Sequence, residues 1–151
     1  MPIVDKAVTV EYRLVSSAHS DARPLEGARI LVIEDEFLIA TVVEDVLKDA
    51  GARAVVIALS PKEGHDALAA TEAIDAAVID IQLSEGTDAG FALAELALKR
   101  RIPIVFLTGY ESDSALPEPF SSVRLLTKPY SPRALVEAVS DAMSRTGAAE
   151  P

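Results

Sequence analysis

A short apolar run that ends in a carboxylate constrains this chain more than any other stretch. Residues 76–79 are Ala-Ala-Val-Ile, and Asp80 follows them directly. A run that is apolar at every position predicts a strand covered on both faces, as in a parallel sheet. Asp80 is then expected at the carboxyl end of a central strand, which is the edge where open α/β sheets bind their ligands.

Four more apolar runs alternate with helical patterns along the chain. The strands are predicted at residues 29–33, 52–59, 76–80, 103–107 and 123–126, and the helices at 37–50, 61–71, 90–100 and 132–145. Between the last two strands, Pro117 and Pro119 leave room for a short or irregular fourth helix at most. This alternation predicts an α/β fold with a doubly wound, five-stranded parallel sheet in the order 2-1-3-4-5.

Three helix boundaries carry local signals. The helix at 37–50 is followed by Gly51, a favoured residue just beyond a helix end, and the next helix opens with the capping sequence Ser60-Pro61-Lys62-Glu63. Ser131-Pro132 opens the last helix in the same way. The apolar residues that predict the first helix are Phe37, Leu38, Val42, Val43, Val46 and Leu47.

The two ends of the chain differ from its middle. Residues 16–24 are polar and turn-rich, and they show no hydrophobic period. We therefore expect a flexible N-terminal arm at 1–26, one domain at 27–146 and a disordered tail at 147–151. An extra strand is expected at 8–15, within the arm.

Composition narrows the classes of partner. The chain carries 14 Lys and Arg against 24 Asp and Glu, a net charge of −10, which argues against a nucleic-acid-binding surface. No apolar run approaches the length that crosses a bilayer, and the N-terminus lacks the order of a secretory signal. There is no cysteine. We expect a cytoplasmic protein with no membrane and no nucleic acid among its partners.

Polar side chains follow four of the five predicted strands. Glu34 and Asp35 end the first, Asp80 the third, Thr108 the fourth and Lys128 the fifth. The predicted topology brings these ends to one crevice. Three carboxylates in one crevice repel one another unless a cation lies among them, and oxygen donors alone favour Mg²⁺. The expected ligands are Asp35, Asp80 and the backbone carbonyl of Gln82, with Glu34 acting through water.

The same crevice contains the groups that phosphoryl transfer requires. Asp80 is a carboxylate nucleophile, Lys128 can pair with a phosphoryl oxygen, and the Thr108 hydroxyl can donate to a second one. Taken singly, each residue is more often a cap or a loop residue. Their occurrence at the corresponding ends of four strands favours a site.

These residues together resemble the receiver domain of two-component response regulators, over about residues 27–146. The matching features are the pair Glu34-Asp35, the acceptor Asp80, the switch residue Thr108 and the pair Lys128-Pro129. The resemblance implies a flavodoxin-like receiver fold and Mg²⁺-dependent phosphorylation of Asp80 by the phosphohistidine of a histidine kinase. It also implies slow self-dephosphorylation and signalling to a downstream protein target, in a phosphoacceptor that is not a conventional enzyme.

One part of the pattern departs from most receivers. Leu125 stands where they carry an aromatic residue three positions before the lysine. The sequence 106–110, Phe-Leu-Thr-Gly-Tyr, resembles the Phe-x-Thr-Gly-Tyr (FATGUY-type) subgroup of receivers. That subgroup implies a histidine kinase of the HWE/HisKA2 type and the general stress response of alphaproteobacteria. Two roles stay open for Tyr110, as a switch aromatic in place of Leu125 or as a half-buried aromatic of the loop.

Alternatives to a messenger remain. The chain could drain phosphoryl groups from a kinase as a phosphate sink, or act as a binding module that no longer uses phosphorylation. A phosphatase of the haloacid-dehalogenase type also uses Asp, Mg²⁺, Thr and Lys, but it typically carries a second Asp two residues after the nucleophile, where this chain has Gln82. A monomer or weak dimer is expected.

Overall fold

The strands and helices alternate as the apolar pattern predicts. A computed structural model of the chain describes residues 23–83, 86–109 and 116–149. The strands are β1 Arg29–Ile33, β2 Ala54–Ala58, β3 Ala76–Asp80, β4 Ile104–Thr108 and β5 Arg124–Thr127. The helices over these residues are α1 Phe37–Asp49, α2 Pro61–Ala69, α3 Thr87–Lys99 and α4 Pro132–Ala149.

All neighbouring strands pair in parallel, in the order β2-β1-β3-β4-β5, so the predicted sheet is confirmed. The register aligns Ile33 with Ile79 and Thr108 with Thr127. Parallel strands in this register end at the same edge of the sheet. The residues that follow β1, β3, β4 and β5 are thereby brought together.

The two faces of the sheet are covered by different helix pairs. On one face, Val43 and Leu47 of α1 and Leu135 and Val139 of α4 belong to a buried cluster with Val78 of β3. On the other face, Leu68 of α2 and Leu93 of α3 pack in a cluster with Ile79. Since Val78 and Ile79 are adjacent, the central strand is buried on both faces, as its uninterrupted apolar sequence predicts.

Local signals at the helix ends act as predicted. The Ser60 hydroxyl accepts a hydrogen bond of 3.1 Å from the Glu63 N–H, and the Ser131 hydroxyl accepts one of 3.0 Å from the Ala134 N–H. Gly51, beyond α1, has a positive φ of 109°. Among the described residues, no helix is long and apolar enough to cross a membrane.

Three predicted boundaries differ from the structure. The last helix, α4, continues to Ala149, past its predicted end at 145 and into the predicted disordered tail at 147–151. The turn-rich composition of 82–89 predicts a loop, but α3 already begins at Thr87, after Gly86 with φ 99°. Gly90, the predicted start, lies in its interior. The packed domain begins before residue 27, because Leu25 is fully buried and its N–H donates to the Ala50 carbonyl at 3.0 Å.

The connection between β4 and β5 contains turns and no helix in its described part, residues 116–123. Phe120 in this connection is buried, and its ring stacks on Phe91 of α3 at 5.4 Å between centroids. Phe106 of β4 meets Phe120 edge to face at 5.5 Å. These contacts fasten the connection to the face formed by α2 and α3.

Candidate functional site

Four of the six sequence-predicted site residues that the structure describes lie directly at strand ends on one edge of the sheet. Asp80 is the last residue of β3 and Thr108 the last of β4, while Glu34 follows β1 and Lys128 follows β5. Glu34, Asp80 and Thr108 are buried, with exposed fractions of 1%, 3% and 6%. Polar groups buried in this way at a ligand-binding edge indicate a site and not a solvated surface.

Lys128 connects the two buried carboxylates. Its Nζ lies 2.9 Å from Asp80 Oδ2 and 3.3 Å from Glu34 Oε2. The backbone of Lys128 is held as well, because its N–H donates to the Thr108 carbonyl at 2.7 Å. Burial lowers the pKa of Lys128, but its hydrogen bond and ion pair with Asp80, with the charge of Glu34, outweigh burial and raise it. The ammonium group is therefore charged at neutral pH.

The carboxylate of Glu34 lies in surroundings that disfavour its negative charge. The pKa of Glu34 is raised to about 7, first by burial and then by the hydrogen bond and negative charge of Asp80. Lys128 and the Glu36 N–H, which donates to Glu34 Oε1 at 3.2 Å, act in the opposite direction. One ammonium does not neutralise the carboxylates of this edge, so a further cation would stabilise it.

The carboxylates form a cluster that fits a divalent cation. Ligand atoms of Glu34, Asp35 and Asp80 all lie within 4.8 Å of one another. Asp35 is partly exposed, which leaves the cluster open to solvent on one side. Oxygen donors alone, with an open side for water, suit Mg²⁺ better than Zn²⁺ or Cu²⁺. The raised pKa of Glu34 agrees with an environment that has too little positive charge to balance the clustered carboxylates.

Gln82 adjoins the cluster through its backbone and reaches a second loop with its side chain. Its N–H donates to Asp80 Oδ1 at 2.8 Å, and its Oε1 accepts from the Gly109 N–H at 3.0 Å. Sequence reasoning assigned only the carbonyl of Gln82, as a metal ligand, and missed the side-chain contact. A glutamine two residues after Asp80, combined with a glycine after Thr108, was the available signal.

The structure describes only one of the two positions that the sequence links to a switch aromatic, Tyr110 and Leu125. Tyr110 lies outside the described residues. Leu125, which replaces the usual aromatic, is on β5 and is partly buried against the cluster that contains Phe106 and Phe120. The roles of Thr108, Lys128 and Tyr110 stay predictions, as does the carbonyl of Gln82 as a metal ligand.

An exposed apolar surface beside the site was also missed. Phe37, Leu38 and Val42 of α1 are 62%, 77% and 62% exposed, although their apolar character contributed to the prediction of the helix. The buried side of α1 consists of Ala40, Val43 and Leu47. The apolar residues of this helix occupy more than one side of it, so they could not all face the core, which was the signal in the sequence. We call the exposed set Phe37, Leu38 and Val42 the α1 patch.

Comparisons with known proteins agree with this geometry. A sequence profile of the response regulator receiver domain matches residues 30–140. The chain is 26% identical over 141 residues to the phyllosphere-induced regulator PhyR of Methylorubrum extorquens, covering 93% of this chain and 53% of PhyR. It is 30% identical over 125 residues to the transcriptional regulatory protein YvrH of Bacillus subtilis, covering 81% of this chain and 52% of YvrH. The chain thus spans about half the length of these curated relatives.

Solved structures extend the comparison. A response regulator receiver protein from Sinorhizobium medicae superposes with a TM-score of 0.68 and 28% identity, over 81% of this chain and 98% of the other. The response regulator PhyR from Brucella abortus gives a TM-score of 0.72 and 29% identity, over 91% of this chain and 56% of the other. This chain therefore corresponds to almost all of the first protein and to a little more than half of the second.

Proposed function

This chain belongs to the response regulator receiver domain family, and from that premise we propose that Asp80 accepts a phosphoryl group from a histidine kinase in a Mg²⁺-dependent reaction. One observation carries the proposal. The buried Asp80 carboxylate lies 2.9 Å from the Lys128 ammonium, within a cluster of three carboxylates. The nucleophile, the cation for phosphoryl oxygens and the metal ligands of the proposed reaction would thus lie together at the carboxyl edge of the sheet.

The reaction is a transfer between two side chains. An oxygen of Asp80 forms a bond to phosphorus while the bond from phosphorus to the donor histidine nitrogen breaks, and that nitrogen keeps the electron pair. Lys128, already in contact with Asp80, is within reach of a phosphoryl oxygen on it. Asp35, Asp80 and the Gln82 carbonyl would hold Mg²⁺, with Glu34 acting through water. The bound ion would offset the negative charge of the transferring group.

The phosphorylated state ends by hydrolysis. Water attacks phosphorus, the bond to the Asp80 oxygen breaks, and the carboxylate and inorganic phosphate are released. The same residues catalyse this slow step, which makes the chain a self-catalysing phosphoacceptor. In the phosphorylated state the Thr108 hydroxyl donates to a phosphoryl oxygen, and the loop after β4 rearranges with it. The changed surface alters affinity for a downstream protein.

The donor that we propose is a histidine kinase of the HWE/HisKA2 type, within an alphaproteobacterial general stress response. The support is the Phe-Leu-Thr-Gly-Tyr sequence at 106–110, the leucine at 125 and the similarity to PhyR. Cytoplasmic location and a monomer or weak dimer are part of the proposal. The acidic net charge of −10 favours protein partners with basic surfaces over nucleic acid.

The test is phosphotransfer from a phosphorylated kinase of this type, with Mg²⁺ and with EDTA. We expect rapid labelling with Mg²⁺, none with EDTA and none in Asp80→Asn. Asp66→Asn changes an exposed aspartate on α2 and should label like the parent protein. Reduction of the acyl phosphate with borohydride followed by mass spectrometry identifies the acceptor. Full labelling of Asp80→Asn would refute the assignment, and a short acyl phosphate lifetime would favour a phosphate sink over a messenger.

A further inference from the structure

Gln82 makes hydrogen bonds to two elements that must act together. Its main-chain N–H donates to Asp80 Oδ1 at 2.8 Å, and its side-chain Oε1 accepts from the Gly109 N–H at 3.0 Å. Asp80 ends β3, while Gly109 directly follows Thr108 at the end of β4. One residue therefore connects the acceptor carboxylate to the loop that contains the switch hydroxyl.

The hydrogen bond from Gly109 to the Gln82 side chain lies just beyond the last backbone hydrogen bond between β3 and β4. The Ile81 N–H donates to the Leu107 carbonyl at 2.9 Å, as expected for parallel strands. Beyond that bond, the Gly109 N–H is satisfied by the Gln82 amide instead of a backbone carbonyl. A side-chain bond of this kind can break without disturbing the sheet, whereas a ladder bond cannot.

Position 109 has space for this contact because it is glycine. A Cβ built on Gly109 would lie 2.9 Å from Gln82 Oε1, closer than real Cβ atoms come to an oxygen. Any side chain at 109 would therefore push the Gln82 amide away. The identities of the two residues are coupled through one hydrogen bond.

We infer that Gln82 is a positioning residue whose side chain holds the loop after β4 in its unphosphorylated position. The inference rests on the proposed function, because the switching of Thr108 toward a phosphoryl group on Asp80 would move Gly109 with it. Loss of the Gln82–Gly109 bond removes a contact that is present only in the unphosphorylated conformation. The equilibrium then shifts toward the other state, by about two- to tenfold for one hydrogen bond.

The first readout needs no phosphorylation. Amide exchange at position 109 is measured by NMR in the metal-free protein for Gln82→Met, which has similar length but no amide oxygen, and for Gln82→Glu, which keeps an acceptor oxygen. We expect exchange about two- to tenfold faster in Gln82→Met and near the parent rate in Gln82→Glu. Unchanged exchange in Gln82→Met, or equal acceleration in both variants, would overturn the inference.

The second readout is the concentration of beryllofluoride, a noncovalent substitute for the phosphoryl group, that half-saturates the protein with Mg²⁺. Gln82→Met should lower this midpoint about two- to tenfold. Gly109→Ala should do the same, and the double variant should add nothing, since both remove one bond. Additive effects would contradict a shared bond. If the parent protein binds no beryllofluoride, the proposed function fails while the amide exchange at 109 still reports on the contact.

Discussion

Glu34 is the residue whose charge fits its surroundings least well. It is almost fully buried, and its carboxylate shares Lys128 with Asp80. Without a metal, ionised Glu34 is destabilised, as its pKa of about 7 indicates. In the proposed function this carboxylate acts with a bound cation, so the proposed site would exchange stability for function.

Glu34→Gln should therefore stabilise the metal-free protein and weaken its response to Mg²⁺. Glutamine retains one oxygen, which can keep one of the two hydrogen bonds that Glu34 accepts, from the Glu36 N–H at Oε1 or from Lys128 at Oε2, while one buried negative charge is lost. We expect the free energy of unfolding without metal at neutral pH to rise by on the order of 1 kcal/mol. The stabilisation that Mg²⁺ adds should be smaller than in the parent. Denaturant unfolding with EDTA and with Mg²⁺ measures both, and a less stable metal-free variant would contradict the prediction.

For single residues, the sequence predicts which side chains lie together but not which hydrogen bonds they form. Glu34, Asp80, Thr108 and Lys128 could be predicted because parallel strands end at one edge, whatever the loops do. The hydrogen bond from Lys128 to Glu34 and the one from Gly109 to Gln82 could not. Both depend on side-chain directions that loop conformations determine. The raised pKa of Glu34 likewise follows from burial, which a residue count cannot supply.

Among the elements, α1 combines a buried side with an apolar exposed side next to the site. The α1 patch follows Glu34, Asp35 and Glu36 directly in the chain. Exposed apolar side chains that lie together are a mark of surfaces that other proteins cover. In the proposed function a histidine kinase brings its phosphohistidine to Asp80, and α1 begins three residues after Glu34 of the same cluster.

The double variant Leu38→Ala and Val42→Ala tests this surface. Phosphotransfer from a phosphorylated kinase should slow by about tenfold or more if these side chains are anchors, because truncating an interface residue that carries binding energy costs more than about 1 kcal/mol. Labelling by acetyl phosphate should stay unchanged, since a small donor needs no surface. Alanine favours the helix, so folding should not suffer. Lys62→Ala on α2, at a side chain that is 87% exposed, is the matched control. Equal slowing with both donors would argue against a docking surface.

Two buried helical glycines differ in what a methyl group would meet. At Gly90 of α3, a Cβ would lie 3.1 Å from the Ile81 carbonyl oxygen and 3.3 Å from that of Asp80. At Gly64 of α2, it would lie 3.0 Å from Ile33 Cδ1 and 3.3 Å from Leu93 Cδ1. Side-chain ends can rotate, but the backbone at the end of β3 cannot move without moving Asp80.

Gly90→Ala should therefore lower the melting temperature and slow labelling by acetyl phosphate. Gly64→Ala should change the free energy of unfolding by less than about 1 kcal/mol, because the gain in helix propensity offsets a small shift of side chains. It should label like the parent. The melting temperature and the labelling rate are measured for both variants. Equal values for the two variants would refute this explanation of Gly90.

The element boundaries show where sequence patterns stop being informative. β3 was predicted at 76–80 and is found there, because a fully apolar run with a charged end has clear limits. α3 begins at Thr87 and not near residue 90, since Thr, Asp and Gly are read as loop residues when packing is unknown. Gly90 is needed inside the helix for its close approach to β3, a requirement that no local propensity expresses.

The whole molecule is an acidic domain whose excess charge is concentrated, in part, at one edge. Its net charge is −10, and three clustered carboxylates lie at the carboxyl end of the sheet. Any added cation lessens the general repulsion. Only an ion held by the cluster, however, stabilises the folded chain through a specific site that the unfolded chain lacks.

Magnesium should therefore raise the melting temperature beyond the effect of Na⁺ at equal ionic strength. At a concentration 100-fold above the dissociation constant, binding to the folded state alone contributes about 2.7 kcal/mol. For a domain of this size that is a rise of roughly 5–10 °C. Asp35→Asn removes a carboxylate of the cluster and should lose most of this rise, while Asp66→Asn, on α2 and not a member of the cluster, should keep it. If both variants and the parent respond alike, Mg²⁺ acts by general screening, and the three carboxylates are not its site.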